Sequence, residues 1–243
     1  MYSIFADFYD ELMYDVDYKK RTSYLMKLFK KYGKAPTLLL DAACGTGGFS
    51  NEFAKLGIEV IGVDMSEEML SIARESAMEQ GNDILFLCQR LEELDLYGTV
   101  DGAVCCLDSL NHITDYNTLC KAIKRISLFL EKDKLFIFDV NTEYKHRFVL
   151  SDNTFVIEDE TVYCVWQNNF DEPYTDIALD FFVNNGDVYE RYSEEFSERF
   201  YTDEELVSFG NAVGLKTEVI YNDMSRDRPD ETCERKIFVM RKM

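Results

Sequence analysis

The first 140 positions alternate between two patterns. Short, nearly unbroken apolar runs occur at 37–42, 59–63, 84–88, 101–107 and 134–140. Between them lie stretches with apolar residues three or four apart, at 17–32, 48–56, from Ser66 to Gly81, and at 115–130. Uninterrupted apolar runs suit strands buried on both faces, and the spaced pattern suits amphipathic helices. Strands alternating with such helices predict a parallel, doubly wound α/β sheet. Ser66 followed by Glu67 and Glu68 is a helix start, with the acids placed well for the helix dipole.

Beyond residue 144 the period changes to two, over 154–158, 162–169, 176–184 and 188–200, with no convincing helix. Asn184-Asn185-Gly186-Asp187 is a strong hairpin turn. An antiparallel β insert of three or four strands is therefore expected after strand five. Thr202-Asp203-Glu204-Glu205 then reads as a capping box opening a helix that stops at Gly214, and 215–222 and 236–241 supply two further strands. The expected division is 1–143 with 201–243 as one α/β domain, and 144–200 as the insert.

The first two strands carry the chemistry. Leu38-Leu39-Leu40-Asp41 runs into Ala42-Ala43-Cys44-Gly45-Thr46-Gly47-Gly48, a helix follows, and the next strand ends in Asp64. Strand, glycine loop, helix, strand, acid is how a βαβ unit binds the nucleoside end of a cofactor, the acid accepting from ribose hydroxyls. The third glycine of the dinucleotide fingerprint is missing, and Asp41 would repel a pyrophosphate at the loop mouth. An ammonium suits Asp41 better. S-adenosylmethionine (SAM) has that ammonium, a ribose and no phosphate. Gly45, Gly47, Asp41 and Asp64, with Ala43 in the loop, are the expected cofactor residues.

The string DAACGTGG with Asp64 resembles class I SAM-dependent methyltransferases. The opening Phe5-Ala6-Asp7-Phe8-Tyr9-Asp10-Glu11-Leu12-Met13, and Asp108-Ser109-Leu110-Asn111 after strand four, resemble a small bacterial group of that class. The group is similar to glycine/sarcosine and amino-sugar N-methyltransferases. The resemblance implies a Rossmann-like seven-stranded sheet with its last strand antiparallel. It also implies a Tyr9 that closes over the cofactor, and a histidine at the position of His112 able to take a proton from the acceptor. Asn111, His112 and Tyr9 are the candidate catalytic residues; Met65 is expected beside the adenine, and Leu107 on the rim after strand four. The sequence departs from the family where an acid usually accepts the adenine amino proton, since the stretch reads Cys88-Gln89-Arg90-Leu91. Arginine cannot accept that bond. Gln89 through its amide oxygen, or the Leu91 backbone with Arg90 stacked on the ring, are the substitutes.

Composition narrows the substrate. With 26 basic and 46 acidic residues the net charge is −20, which repels phosphate backbones and disfavours nucleic acid. Seven scattered cysteines without a CxxC pair indicate a reducing compartment, and neither a zinc site nor a disulfide framework. No apolar run reaches membrane-spanning length and no basic leader opens the chain, so a soluble cytoplasmic protein is expected. The reading is methyl transfer to N or O of a small molecule. Its alternatives are a SAM-binding protein without turnover, a protein methyltransferase, and a nicotinamide oxidoreductase that the glycine spacing disfavours. The insert is expected to cover the acceptor side or to form a homodimer interface.

Overall fold

The computed structural model describes residues 16–158 and 161–243. The α/β part begins with α1 (Tyr18–Tyr32), β1 (Leu38–Ala42), α2 (Gly48–Lys55), β2 (Glu59–Asp64), α3 (Glu67–Glu79) and β3 (Leu85–Cys88). It continues through β4 (Gly102–Cys105), α4 (Tyr116–Phe129) and β5 (Leu135–Asn141). After the insert come α5 (Asp203–Ala212), β10 (Leu215–Asn222) and β11 (Arg235–Lys242). Seven strands form one sheet in the order β10-β11-β5-β4-β1-β2-β3, with β11 antiparallel to both its neighbours.

Adjacent residues of the central strands face opposite sides, so an unbroken apolar run fills two cores at once. Leu40, Ala103, Phe136, Phe138, Phe238 and Met240 pack under α4 and α5. Leu39, Val104, Ile137 and Val239 pack under α1 and α2. The Phe138 and Phe238 rings stack with centroids 5.0 Å apart, joining β5 to the antiparallel β11. Ser66 caps α3, its hydroxyl accepting from Met69 N–H at 3.2 Å, and Thr202 with Glu205 forms the capping box of α5.

The insert is a separate four-stranded antiparallel sheet in the order β6-β7-β8-β9: β6 (Thr154–Glu158), β7 (Val162–Asp171), β8 (Tyr174–Asn184) and β9 (Tyr189–Arg199). One face buries Val162, Cys164, Ile177, Leu179 and Phe181. The other carries polar pairs such as Arg191–Asp180 and Ser197–Asp176.

Two details differ from the sequence pattern. A π-helical turn (Lys145–Leu150) precedes the insert, where no helix was expected. Its six residues are too few to show a period, and it seats His146 fully inside the protein. Strand β4 also stops at Cys105, because Leu107 and Asp108 turn into the left-handed region with φ of 54° and 51°.

Candidate active site

The glycine loop lies at the carboxyl end of β1, where three residues take left-handed backbone: Ala43 (φ 58°), Gly45 (53°) and Gly47 (79°). Among the described residues a Cβ at Gly45 would meet nothing within 4 Å, so they leave the loop open on that side. A Cβ at Gly47 would stand 3.1 Å from Ala73 Cβ and 3.3 Å from the Phe86 ring, so the loop is closed against α3 and β3. Asp64 holds this shape: its carboxylate accepts Gly45 N–H and Ser66 N–H, each at 2.9 Å. Burial raises its pKa. A carboxylate offers about four lone-pair sites, so two remain for a pair of hydroxyls.

Asp41 is buried beneath the loop and accepts the Ser50 hydroxyl at 2.6 Å. Burial pushes its pKa up to about 7, with Ser50 partly opposing the shift. The proton it tends to keep is what a bound cation would displace. Ser50 was not anticipated; a serine in the first turn of a helix carries no signal of its own.

The second centre lies one strand over, at the ends of β4 and β5. Leu107 and Asp108 donate their N–H groups to Asp139 (2.9 and 2.7 Å), which fixes the left-handed turn. Arg235, from the start of β11, reaches Asp139 and Asp108, both at 2.6 Å. Burial would raise the Asp108 pKa, but the charges of Arg235 and Lys145 outweigh it and hold the carboxyl well below its usual range. Asn141 donates its amide to Asp108 (2.6 Å) and to Glu198 (3.2 Å), so the two carboxylates face one another across it.

Glu198 comes from β9 of the insert and is only 4% exposed. Burial, and then Asp108, raise its pKa. His112 Nε2 stands 3.7 Å from Glu198 Oε1, and His146 Nε2 stands 3.7 Å from Oε2. The His112 ring leans on Phe196 of the same strand, with centroids 5.1 Å apart. His146 Nδ1 is 2.7 Å from the Thr175 hydroxyl, and burial pushes its pKa down to about 4. A cavity of about 330 Å³ opens beside this cluster and shares Lys145 and Arg235 with it.

The remaining expected site residues divide. Met65 is half exposed beside the loop, with Arg90 Nη1 3.9 Å from its sulfur. Arg90 itself pairs with Glu92 at 2.6 Å, and Leu91 is buried in the main core. Leu107 packs on the core side of the rim and presents its N–H to Asp139. Tyr9 lies outside the described residues.

The Gln89 amide is engaged by Asp95, accepting its N–H at 2.8 Å and donating to its carbonyl at 3.2 Å. One expectation needs correction. Asn111 is fully buried: its amide donates to the Asn141 and Arg199 carbonyls and accepts Asn141 N–H. Arg199 N–H returns to the Asn111 carbonyl at 2.8 Å. Asn111 therefore pins the insert to the ends of β4 and β5 and offers nothing to a reacting group.

A family described as a methyltransferase domain matches residues 39–132. Over the full chain the sequence is 33% identical to YqeM of Bacillus subtilis (strain 168), named as a methyltransferase, covering 100% of this chain and 97% of that one. The crystal structure of a S-adenosylmethionine-dependent methyltransferase from Clostridium acetobutylicum ATCC 824 has a TM-score of 0.91 at 32% identity, covering 99% and 98% of the two chains. SAM-bound CalS10, an amino pentose methyltransferase from Micromonospora echinaspora, shares the fold at a TM-score of 0.78 and 18% identity, over 96% of each chain. The open side at Gly45, the spare lone pairs of Asp64 and the displaceable proton of Asp41 fit the ribose and ammonium of SAM. The chain is a SAM-dependent methyltransferase of the class I fold and belongs to the methyltransferase family that contains YqeM.

Proposed function

We propose that the enzyme methylates a nitrogen or oxygen of a small molecule held at the rim cluster of Asp108, His112 and Glu198. The carrying observation is the position of Glu198, a buried carboxylate that the insert delivers to the ends of β4 and β5. Strand β4 pairs with β1, with Asp41 in register with Val104, so this rim adjoins the glycine loop. On this reading the insert covers the acceptor side, and the cavity lined by Lys145 and Arg235 lies next to it. The net charge of −20 supports a small or cationic acceptor over nucleic acid. Seven free cysteines support a reducing, cytoplasmic setting.

When bound, SAM supplies a methyl group already activated on a sulfonium. The chain's own task is to align the acceptor, exclude water and accept a proton. Asp41, Asp64 and the glycine loop would hold the cofactor, with Met65 against its adenine. His112, about a third exposed, and Glu198, nearly buried, offer lone pairs to the acceptor's proton. Release of S-adenosylhomocysteine should be followed across a panel of small amines and hydroxylated metabolites. Turnover that falls about tenfold or more in Glu198→Gln, with SAM affinity unchanged, supports this assignment. Turnover indifferent to Glu198→Gln contradicts it.

A further inference from the structure

The rim cluster is more than a pair of acids. Asp108, His112 and Glu198 each present one donor atom, and the three atoms lie within 4.8 Å of one another. Metal–ligand bonds of about 2.0–2.2 Å place two ligands of one ion roughly 3–4 Å apart. His112 Nε2 stands 3.7 Å from Glu198 Oε1, too long for a hydrogen bond and suited to sharing an ion.

The surroundings point the same way. His146 is fully buried, and its Nε2 has no hydrogen-bond partner among the described residues. Its Nδ1 meets the Thr175 hydroxyl at 2.7 Å, which fixes the ring with Nε2 turned to Glu198 Oε2. Thr175 and Glu198 are directly paired across β8 and β9, so one register positions both. The carboxylates are held from behind in the same manner, Asp108 by Arg235 and Asn141, and Glu198 by Asn141. Asp108, Asp139 and Glu198 outnumber the cations Arg235 and Lys145, and Lys145 Nζ is directed at the Asn141 amide oxygen at 3.0 Å.

We propose that Asp108, His112 and Glu198 form a binding site for a divalent cation, with the buried His146 behind Glu198 helping to position that carboxylate. Imidazole and carboxylate donors without a thiolate favour an ion of the first transition row over magnesium or calcium. The role of the ion rests on the acceptor being bound at this rim. There it would hold an acceptor oxygen and make its hydroxyl more acidic, using the lone pairs that otherwise meet the acceptor's proton. Binding of the ion itself does not depend on that reading. Asp108 and His112 come from the one loop after β4 and Glu198 from the distant β9, so the complete donor set does not show in the sequence.

The test uses Co²⁺ added to chelator-treated full-length protein, followed by calorimetry and visible absorption, with SAM titrated in parallel. The expected result is saturable uptake of one ion per chain, with a spectrum of nitrogen and oxygen ligation and no thiolate band. His112→Ala and Glu198→Gln should each weaken uptake at least roughly tenfold. Glu158→Gln, on the exposed side of β6, should not. Thermal unfolding checks each variant's fold, and His112, partly exposed, carries the test if Glu198→Gln unfolds. No saturable uptake by the wild type, or uptake that His112→Ala leaves unchanged, overturns the site. Normal SAM binding in that case leaves the methyltransferase assignment standing.

Discussion

On the proposed cofactor placement, Asp41 would link a buried proton to cofactor affinity. Its carboxyl moves from an ordinary value of 3.8 to about 7, chiefly because burial disfavours the charge. Between those values the folded chain keeps a proton that the unfolded chain has released, so stability falls as pH rises through the window and levels off above it. Cofactor binding runs the other way, since an ammonium needs the ionised form. SAM affinity should therefore rise with pH up to about 7 and then flatten, and Asp41→Asn should remove the slope attributable to this group. Calorimetry from pH 5.5 to 8 checks this (~2.5 pH units, of which only the lower part should carry the slope). Asp64 differs in kind: the Gly45 and Ser66 N–H groups already fix it, so it closes the loop in addition to its proposed place at the ribose.

At the scale of elements, the glycine loop is a strained turn clamped between α3 and β3. Gly47→Ala brings a methyl group within 3.1 Å of Ala73 and places alanine at φ 79°. The expected cost is about 1–3 kcal/mol of stability, from left-handed strain plus overpacking. Chemical denaturation would show it as a lower midpoint at unchanged slope. This loop was legible from sequence because its parts are close in the chain: Asp41, Gly45, Gly47 and Asp64 span one βαβ unit, and backbone conformation dictates the residue types. The strands of the main sheet were legible for a similar reason, each being an apolar run buried on two faces. Asn111 was misread because a side-chain amide looks the same in sequence whether it meets a ligand or a backbone. The π-helical turn was too short to leave a period.

At the scale of the whole molecule, two sheets meet over one rim. Asn111 ties the β4 loop to β5 and to the end of β9, so the insert is fixed to the main sheet by hydrogen bonds of the Asn111 amide and carbonyl to backbone. That junction delivers Glu198 to His112 and His146. Glu198 was illegible because it is one of 46 acidic residues, set on an alternating strand whose inward face only the pairing with β8 defines. Arg235 and Asp139 were illegible because each acts across about a hundred residues of chain, which local patterns do not reach. The proposed division of labour has the βαβ unit hold the cofactor and the insert complete the acceptor side.

The most direct test of that division is calorimetric titration of SAM into the wild type, Asp64→Ala and Glu198→Gln. The account predicts saturable binding by the wild type and a loss of about tenfold or more in Asp64→Ala, as expected for removing charge-assisted hydrogen bonds of roughly 1.5–3 kcal/mol. It predicts unchanged affinity in Glu198→Gln. Equal binding by wild type and Asp64→Ala, or a loss confined to Glu198→Gln, would contradict the placement of the cofactor on the glycine loop.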